Sequence, residues 1–271
     1  MRRPESTGDM IASLRDVSVR HRVRRHSGSL RSILGAMQEV GGKVTMRGGA
    51  LHVDSLSIPS LDIARGSRVG LIGVNGSGKT TLLNVLGGLL PPTTGKVTTR
   101  GQVVPIINIH SGFHPLLTGR ENVEVKLLYL NLGRAERQAA IAEVMEFTGL
   151  GSYFDMPMKG YSAGMRVRLA LGAATVVKPD LLIMDEWINA GDAAFRAKSQ
   201  ARLESIVEKS GGMVIASHAY PVLEEWCDRL LWMHEGHIVE DGPLAPVWKA
   251  YRQHQLEHPG QLPAVHDAAQ S

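Results

Sequence analysis

The chain has 271 residues, enough to bury a large core, and its 43% hydrophobic and 21% charged residues are ordinary for a soluble globular protein. Its one cysteine, Cys227, excludes an internal disulfide, and no apolar run approaches the roughly 18 residues that cross a membrane. The net charge is +4, but residues 1–50 carry ten Lys and Arg against four acids. This basic stretch is compatible with a solvated face and equally with binding of nucleic acid, lipid headgroups or phosphate.

The N-terminal region predicts strands and one amphipathic helix. In SLRSILGAMQEV, apolar side chains at helical spacing follow Ser29, which is a good capping residue, so we expect a helix at 29–40. Residues 41–49 (GGKVTMRGG) are typical of a loop. The stretches ALHVDSLSI and SRVGLIGV indicate strands, and the second is nearly continuous in apolar residues, as in a buried parallel sheet.

A glycine-rich stretch, GVNGSGKT at 73–80, precedes a predicted helix that we expect to end at Pro91 and Pro92. It matches the phosphate-binding pattern G-x-x-x-x-G-K-[ST] in the strand–helix setting that the pattern requires. Its glycines let backbone N–H groups point at phosphate oxygens, while Lys79 would reach the β- and γ-phosphates and Thr80 would bind Mg²⁺. The expected nucleotide-binding residues here are Gly73, Asn75, Gly76, Ser77, Gly78, Lys79, Thr80 and Thr81.

Helical patterns occupy the middle of the chain. Residues 119–150 are helical in pattern, and YSAGMRVRLALG at 161–172 begins another helix. The start of that helix consists of small residues, which leave its backbone donors uncovered. Ser162 is explained by helix capping, but the bare Gly164 is not.

Two apolar stretches further along end in side chains that suit catalysis. LLIMDE (181–186) predicts a buried strand that delivers Asp185 and Glu186 at its carboxyl end, the edge at which an open parallel sheet binds ligands. Asp185 would hold Mg²⁺, and Glu186 would act as the general base toward water. GGMVIASH places His218 at the end of a neighbouring strand, where it would contact the γ-phosphate. The alternation of strands and helices predicts an α/β fold with a mostly parallel sheet.

The C-terminal region predicts a strand, a turn and a strand, followed by a flexible tail at 251–271. Cys227, His234 and His237 cluster in sequence and raise the alternative of a zinc site. The two histidines are spaced by three across a glycine turn and do not form the H-E-x-x-H pattern of a metal-binding helix, so an exposed turn is the simpler interpretation.

Taken in order, GVNGSGKTT, YSAGM, LLIMDE, NAGD and SH resemble the motifs of the ATPase subunit of an ATP-binding cassette (ABC) transporter, from about residue 14 to 243. The resemblance implies a RecA-like P-loop core at 1–107 and 176–250, an antiparallel β part, and an α-helical subdomain inserted at 108–175. It also implies a homodimer that binds two ATP molecules, with Mg²⁺, at its interface.

Further residue roles follow from this resemblance. The turn with Ser162 and Gly164 would bind the γ-phosphate of an ATP held by the opposite copy, because small residues let backbone amides approach an anion. Asp192, in NAGD, would lie at the same seam. His21 stands where such proteins usually stack an aromatic ring on adenine. Asn108 is the amide nearest to the position of a glutamine that senses Mg²⁺ and is absent here.

The stretches SGFHPLLTGREN, YSAGM and AGDAAF are most similar to ATPases that export O-antigen, capsular polysaccharide or teichoic acid across bacterial inner membranes. This implies a peripheral location on the cytoplasmic face, a polytopic membrane permease as partner, and a glycan cargo bound mainly by the permease. Members of this group can carry an extra helix facing the permease, which residues 29–40 would supply. The alternative is a helix packed on the chain's own core.

Two other functions compete with export. A soluble ABC ATPase acting on nucleic acid or ribosomes is favoured only by the basic N-terminus, and the chain has neither a second cassette nor sustained heptads, so no nucleic acid is expected. A small-molecule kinase with a phosphate loop would leave the YSAGM turn without a role.

Overall fold

The structure is a computed structural model that describes residues 9–23, 43–47, 50–107, 112–130, 132–186 and 193–257. One of its two sheets is antiparallel, with strand order β2-β3-β1-β5. Its strands are β1 (Met10–Val23), β2 (Lys43–Arg47), β3 (Ala50–Ala64) and β5 (Thr94–Thr99).

The expectation of a loop at 41–49 is wrong for Lys43–Arg47, which pair with Ala50–Asp54 of β3. Two β-branched residues at 44 and 45 favour extended backbone, and a Gly-Gly dipeptide separates them from the next strand. A Gly-Gly pair between two strand-forming stretches is itself a hairpin pattern. The β-branched residues and the Gly-Gly pair therefore indicate this strand, although the glycines at both ends of 41–49 favour a loop.

The second sheet has the order β10-β9-β4-β8-β7-β6. Five of its strands are parallel, and β10 pairs antiparallel with β9. Its strands are β4 (Arg68–Ile72), β6 (Val103–Ile106), β7 (Leu181–Asp185), β8 (Met213–Ala216), β9 (Arg229–His234) and β10 (His237–Pro243).

The described residues form seven α-helices. These are α1 (Lys79–Leu86), α2 (Gly119–Tyr129), α3 (Arg134–Thr148), α4 (Ala163–Thr175), α5 (Ala193–Lys209), α6 (Tyr220–Trp226) and α7 (Leu244–Glu257). Helix α1 ends at Leu86, earlier than the expected stop at Pro91, because Gly87 and a left-handed Gly88 follow it.

The parallel strands are apolar throughout because both faces of their sheet are covered. In β7, Leu181 and Ile183 face the cluster shared with α1 and the antiparallel sheet. Leu182 and Met184, on the opposite face, pack in the cluster that includes residues of α5, α6 and α7. Helices α2, α3 and α4 enclose a third cluster around the fully buried Phe154. The α/β class with a mostly parallel sheet, an antiparallel β part and a helical insertion is confirmed.

The expected flexible tail is wrong for residues 251–257, since helix α7 continues to Glu257. Tyr251 makes an edge contact with Trp232, with ring centroids 5.6 Å apart, and Trp248 packs on Tyr220 at 4.7 Å. These long-range aromatic contacts stabilise a helix whose sequence after Tyr251 is mostly polar. Residues 258–271 and the helix expected at 29–40 lie outside the described residues. None of the helices in the described part of the chain is long and apolar enough to cross a bilayer.

Candidate functional site

The phosphate loop, residues 73–80, leaves the buried strand β4 and winds through left-handed glycines. The φ angle is 147° at Gly73 and 100° at Gly78, a region that favours glycine. A Cβ atom at Gly73 would collide with the backbone oxygen of Met233, and one at Gly78 would lie 2.9 Å from the backbone oxygen of Ser55. The loop can therefore lie this close to β9 and β3 only because these positions are glycine.

Lys79 opens helix α1 and folds back over the loop. Its Nζ donates to the carbonyl oxygens of Gly73 at 2.7 Å and Val74 at 3.0 Å. Burial lowers the pKa of Lys79, while the charges of Asp185 and Glu186 act in the opposite direction. The N-cap of α1 is Gly78, which has no side chain, so the helix starts without a side-chain cap. A buried cation and the positive end of a helix thus meet at the loop.

Thr80 and Asp185 approach each other across the mouth of the loop. The Thr80 hydroxyl donates to Oδ2 of Asp185 at 2.8 Å, although the two residues are 105 positions apart. Hydroxyl and carboxylate oxygens are the kind of ligand atom that Mg²⁺ prefers. The residues present therefore fit a magnesium ion at this point.

Glu186 follows β7 in a left-handed conformation, with φ of 70°. Its backbone N–H donates to the carbonyl oxygen of Ala216 at 2.9 Å, which extends the pairing with β8 and maintains the unusual backbone. The hydroxyl of Ser217 donates to Oε2 of Glu186 at 3.1 Å, and Nε2 of His218 lies 3.9 Å from Oε1. Ser217 was not among the predicted site residues, although it directly precedes His218 in the SH motif.

Apart from Ser217, the side chains described above face one open cleft of about 700 Å³. Asn75, Gly76 and Thr81 contribute to its wall, whereas Gly73 and Ser77 are buried behind it. The cleft is lined by His21, Val53, Ser55, Asn75, Gly76, Gly78, Lys79, Thr80, Thr81, Asp185, Glu186 and His218.

One wall of the cleft comes from the antiparallel sheet. His21 is exposed on β1 and pairs with Val53 of β3. The structure thus brings His21 to the same cleft as the phosphate loop. Val53 and Ser55 were missed by the sequence analysis because the alternating strand that contains them carries no pattern for ligand binding.

The serine turn, residues 162–164, lies at the start of α4 and does not line this cleft. Oγ of Ser162 accepts a hydrogen bond from the N–H of Met165 at 3.2 Å, so Ser162 caps the helix. All three residues are exposed, and a Cβ atom at Gly164 would meet nothing closer than Oγ of Ser162, at 4.0 Å. Nothing in the described part of the chain therefore requires glycine at 164.

Two further predicted positions, Asn108 and Asp192, lie outside the described residues.

Comparison with known proteins identifies the family of the chain. A family model described as "ABC transporter" matches residues 56–189. The O-antigen export system ATP-binding protein RfbE of Yersinia enterocolitica is 36% identical over 80% of this chain and 90% of its own length. The chain belongs to the ABC transporter family. The resemblance to ABC ATPase subunits that the motifs indicated is therefore confirmed.

Other relatives of this cassette are longer proteins. The teichoic acids export ATP-binding protein TagH of Enterococcus faecalis is 38% identical over 73% of this chain but only 45% of its own length. The cassette spans about half the length of such curated relatives. Among solved structures, a dimeric post-hydrolysis state of the ATP-binding cassette MJ0796 bound to ADP and Pi matches with a TM-score of 0.61 at 21% identity, over 86% of this chain and 98% of that one. At this identity the likeness concerns the fold.

Proposed function

We propose that the chain hydrolyses ATP as the nucleotide-binding subunit of an exporter for a cell-surface glycan, and that two copies close around two ATP molecules. The observation that carries the proposal is the contact between Thr80 and Asp185 beside Glu186, at the cleft that the phosphate loop also faces. A phosphate cradle, a metal-binding pair and a base candidate thus converge at the carboxyl edge of a parallel sheet.

The triphosphate would lie along the loop. Backbone N–H groups of residues 75–80 and the uncapped start of α1 would bind its oxygens, and Nζ of Lys79 would exchange two carbonyl partners for the β- and γ-phosphates. Oγ1 of Thr80 and the carboxylate of Asp185 would hold Mg²⁺, which offsets the charge that develops on the phosphate oxygens. His21 would stack on the base from the opposite wall of the cleft.

Glu186 would orient a water molecule and accept its proton as the water oxygen bonds to the γ-phosphorus and the bond to the β-phosphate oxygen breaks. Ser217 donates to one oxygen of this carboxylate, which leaves the other free to face water. His218, 3.9 Å from that other oxygen, would contact the γ-phosphate. Three residues at two neighbouring strand ends would therefore divide metal binding, proton transfer and phosphate contact among them, namely Asp185, Glu186 and His218.

The serine turn would complete the site of a second copy. It presents an exposed helix start with a bare glycine, and it lies outside the cleft of its own chain. Ser162 and Gly164 would approach the γ-phosphate bound by the partner, and Asp192 would lie at the same interface. This two-chain arrangement also separates the proposal from a small-molecule kinase, in which the turn would have no ligand.

The cargo and the partner are proposed from the relatives. The names of two relatives refer to O-antigen export and teichoic acid export, so we propose a glycan as cargo and a polytopic permease as partner. The chain would lie on the cytoplasmic face of the bacterial inner membrane. Residues 1–107 and 176–250 would form the nucleotide-binding core, and 108–175 would form the helical subdomain.

The substitution Glu186→Gln tests the proposal. It removes the proton acceptor with little change in shape, so ATP should still bind while phosphate release slows by about 10²- to 10⁴-fold. The trapped ATP should shift the protein from monomer to dimer in size-exclusion chromatography with light scattering.

A matched control is Glu235→Gln. Glu235 is another glutamate with a left-handed backbone, φ of 44°, but it does not line the cleft. This variant should hydrolyse ATP at the parent's rate. A Glu186→Gln protein that stays monomeric with ATP and Mg²⁺ at high concentration would contradict the shared-site model.

A further inference from the structure

Three helices meet at a cluster of two aromatic rings and three cations, which we name the phenyl clamp. Its members are Phe147 on α3, Arg168 on α4, and Phe195, Lys198 and Arg202 on α5. The two rings contact each other edge to face, with centroids 5.4 Å apart. The Arg168 guanidinium lies 5.0 Å from the centre of the Phe195 ring. The clamp therefore joins the helical insertion to α5.

Two cations of α5 also cap the carboxyl ends of the other helices. Nζ of Lys198 donates to the carbonyl oxygen of Phe147 at 2.9 Å and lies 5.1 Å from the centre of its ring. Nε of Arg202 donates to the carbonyl oxygen of Thr175, the last residue of α4, at 3.2 Å. The final carbonyls of a helix carry its negative partial charge, so each cation is bound by a helix end as well as by a ring.

The clamp is densely packed. Phe147 and Phe195 are 7% and 4% exposed, and a Cβ atom at Gly172 of α4 would lie 3.2 Å from the Phe147 ring. Glycine at this position lets the ring lie directly on α4. Because the Phe147 ring lies on α4 and also contacts Phe195 of α5, this packing ties α5 to α4 more tightly than a surface ion pair would.

The two joined helices begin at the functional segments of the chain. Helix α4 starts directly after Ser162, and Arg168 is six residues further on, a rise of about 9 Å. Helix α5 starts at Ala193, and only six residues separate it from Glu186. The clamp is therefore a link, within one copy, between the helix that follows the serine turn and the helix that follows the proposed base.

We infer that the phenyl clamp is a positioning element that makes the serine turn and the start of α5 move as one body. This inference rests on the proposed function, because both segments would face the nucleotide of the partner copy. When the two copies close, the clamp would hold the serine turn and the start of α5 in a fixed position relative to each other. Without the clamp each segment would approach the partner's nucleotide separately, and the reacting groups would spend less time in the geometry that hydrolysis needs. The clamp residues themselves touch no substrate.

The substitution Arg168→Leu tests this role by hydrolysis. It keeps an apolar stem against Phe195 but removes the cation, so kcat for ATP should fall about tenfold or more while KM changes less than about twofold. Arg168→Lys, which keeps the charge, should recover part of kcat. Phe195→Leu, which removes the ring that Arg168 covers, should repeat the loss in kcat.

Arg120→Leu is the matched control. Arg120 lies 5.2 Å from the centre of the Phe154 ring and pairs with Asp155, entirely within the helical insertion. It should lower the thermal stability as Arg168→Leu does but leave kcat unchanged. Equal losses of kcat in the two variants would overturn the inference, since both would then reflect general destabilisation.

A distance measurement decides the matter independently of hydrolysis. Spin labels at Arg166→Cys and Gln200→Cys report the spacing of α4 and α5, since both positions are exposed, and Cys227, which is partly exposed, is replaced by serine so that only the two introduced thiols react. The distance distribution should be narrow in the parent and clearly broader with Arg168→Leu, but not with Arg120→Leu. An unchanged distribution would overturn the clamp. Absence of ATP hydrolysis in the parent would contradict the proposed function while leaving this measurement decisive for the clamp.

Discussion

The phosphate loop and the serine turn are both small-residue turns in front of a helix, yet their glycines have opposite surroundings. At Gly73 and Gly78 a side chain would collide with the backbone of β9 or β3, and both residues have a left-handed φ. At Gly164 a side chain would enter open space. The first two glycines are required by the fold of the chain itself, whereas nothing in the part of the chain that the structure describes requires glycine at 164.

The helix starts behind the two turns differ in the same way. Helix α1 has a glycine N-cap without a side-chain acceptor, so a phosphate can supply the missing partner. Helix α4 is capped by Ser162, which stabilises the turn in the absence of any ligand. The start of α1 thus has backbone donors that no side chain caps, whereas the serine turn is capped by its own hydroxyl and exposed. This is the pairing expected if the two regions meet only when two copies come together.

Complementation between two inactive variants should give the largest effect. Lys79→Met disables the phosphate loop, and Ser162→Arg blocks the serine turn with a bulky cation. In a mixed dimer both lesions fall on one site, and the other site is intact. A 1:1 mixture, combined before ATP is added, should therefore recover up to roughly a quarter of the parent's phosphate release.

Each variant alone should be inactive, but Ser162→Arg should bind ATP with nearly the affinity of the parent chain. A mixture no more active than its components would contradict the two-chain site, because the phosphate loop and the serine turn would then act on a nucleotide bound by the same copy.

Alanine at the two kinds of glycine should give the next largest difference. Gly73→Ala should lower the free energy of unfolding by about 3 kcal/mol, because a left-handed residue is strained and Met233 blocks the new methyl group. Gly164→Ala should change that free energy by less than about 0.5 kcal/mol and leave ATP binding intact, yet reduce turnover roughly tenfold. Urea denaturation and a phosphate-release assay measure the two effects. Parent-like turnover in Gly164→Ala would show that the open space has no ligand.

The site is more predictable from the sequence than the fold around it. The phosphate loop and the LLIMDE strand carry their chemistry in adjacent letters, so Lys79, Thr80, Asp185 and Glu186 can be grouped from the sequence alone. The apolar strands predict a parallel sheet, and such a sheet brings Thr80 and Asp185 to the same edge. In the structure Oγ1 of Thr80 lies 2.8 Å from Oδ2 of Asp185.

The features that were missed depend on long-range contacts. Helix α7 is stabilised by aromatic contacts such as Tyr251 on Trp232, which no local pattern reveals. Val53 and Ser55 reach the cleft only through the pairing of β3 with β1 and the loop's approach to β3. The phenyl clamp joins residues up to 55 positions apart in three helices. Local propensity cannot assign such positions, because packing partners decide them.

A pair of helix caps should give the smallest and most specific difference. Ser162 and Thr118 have nearly the same N-cap geometry, with φ and ψ of −65° and 165° and of −66° and 165°. Each accepts a hydrogen bond from the backbone N–H three residues on, at 3.2 and 3.1 Å. Ser162→Ala and Thr118→Ala should therefore each lower the free energy of unfolding by about 1 kcal/mol.

Only the serine variant should also slow turnover, by a few-fold, because only its hydroxyl would meet a phosphate from the partner copy. The same loss of turnover in Thr118→Ala would assign the effect to a weakened helix start. An unaffected turnover in Ser162→Ala would mean that the hydroxyl serves its own helix alone, and the partner's phosphate would then depend on the backbone N–H groups at 163–165. If the two variants lose the same stability, the ratio of their turnover losses therefore measures how much the Ser162 hydroxyl contributes to hydrolysis in the partner copy.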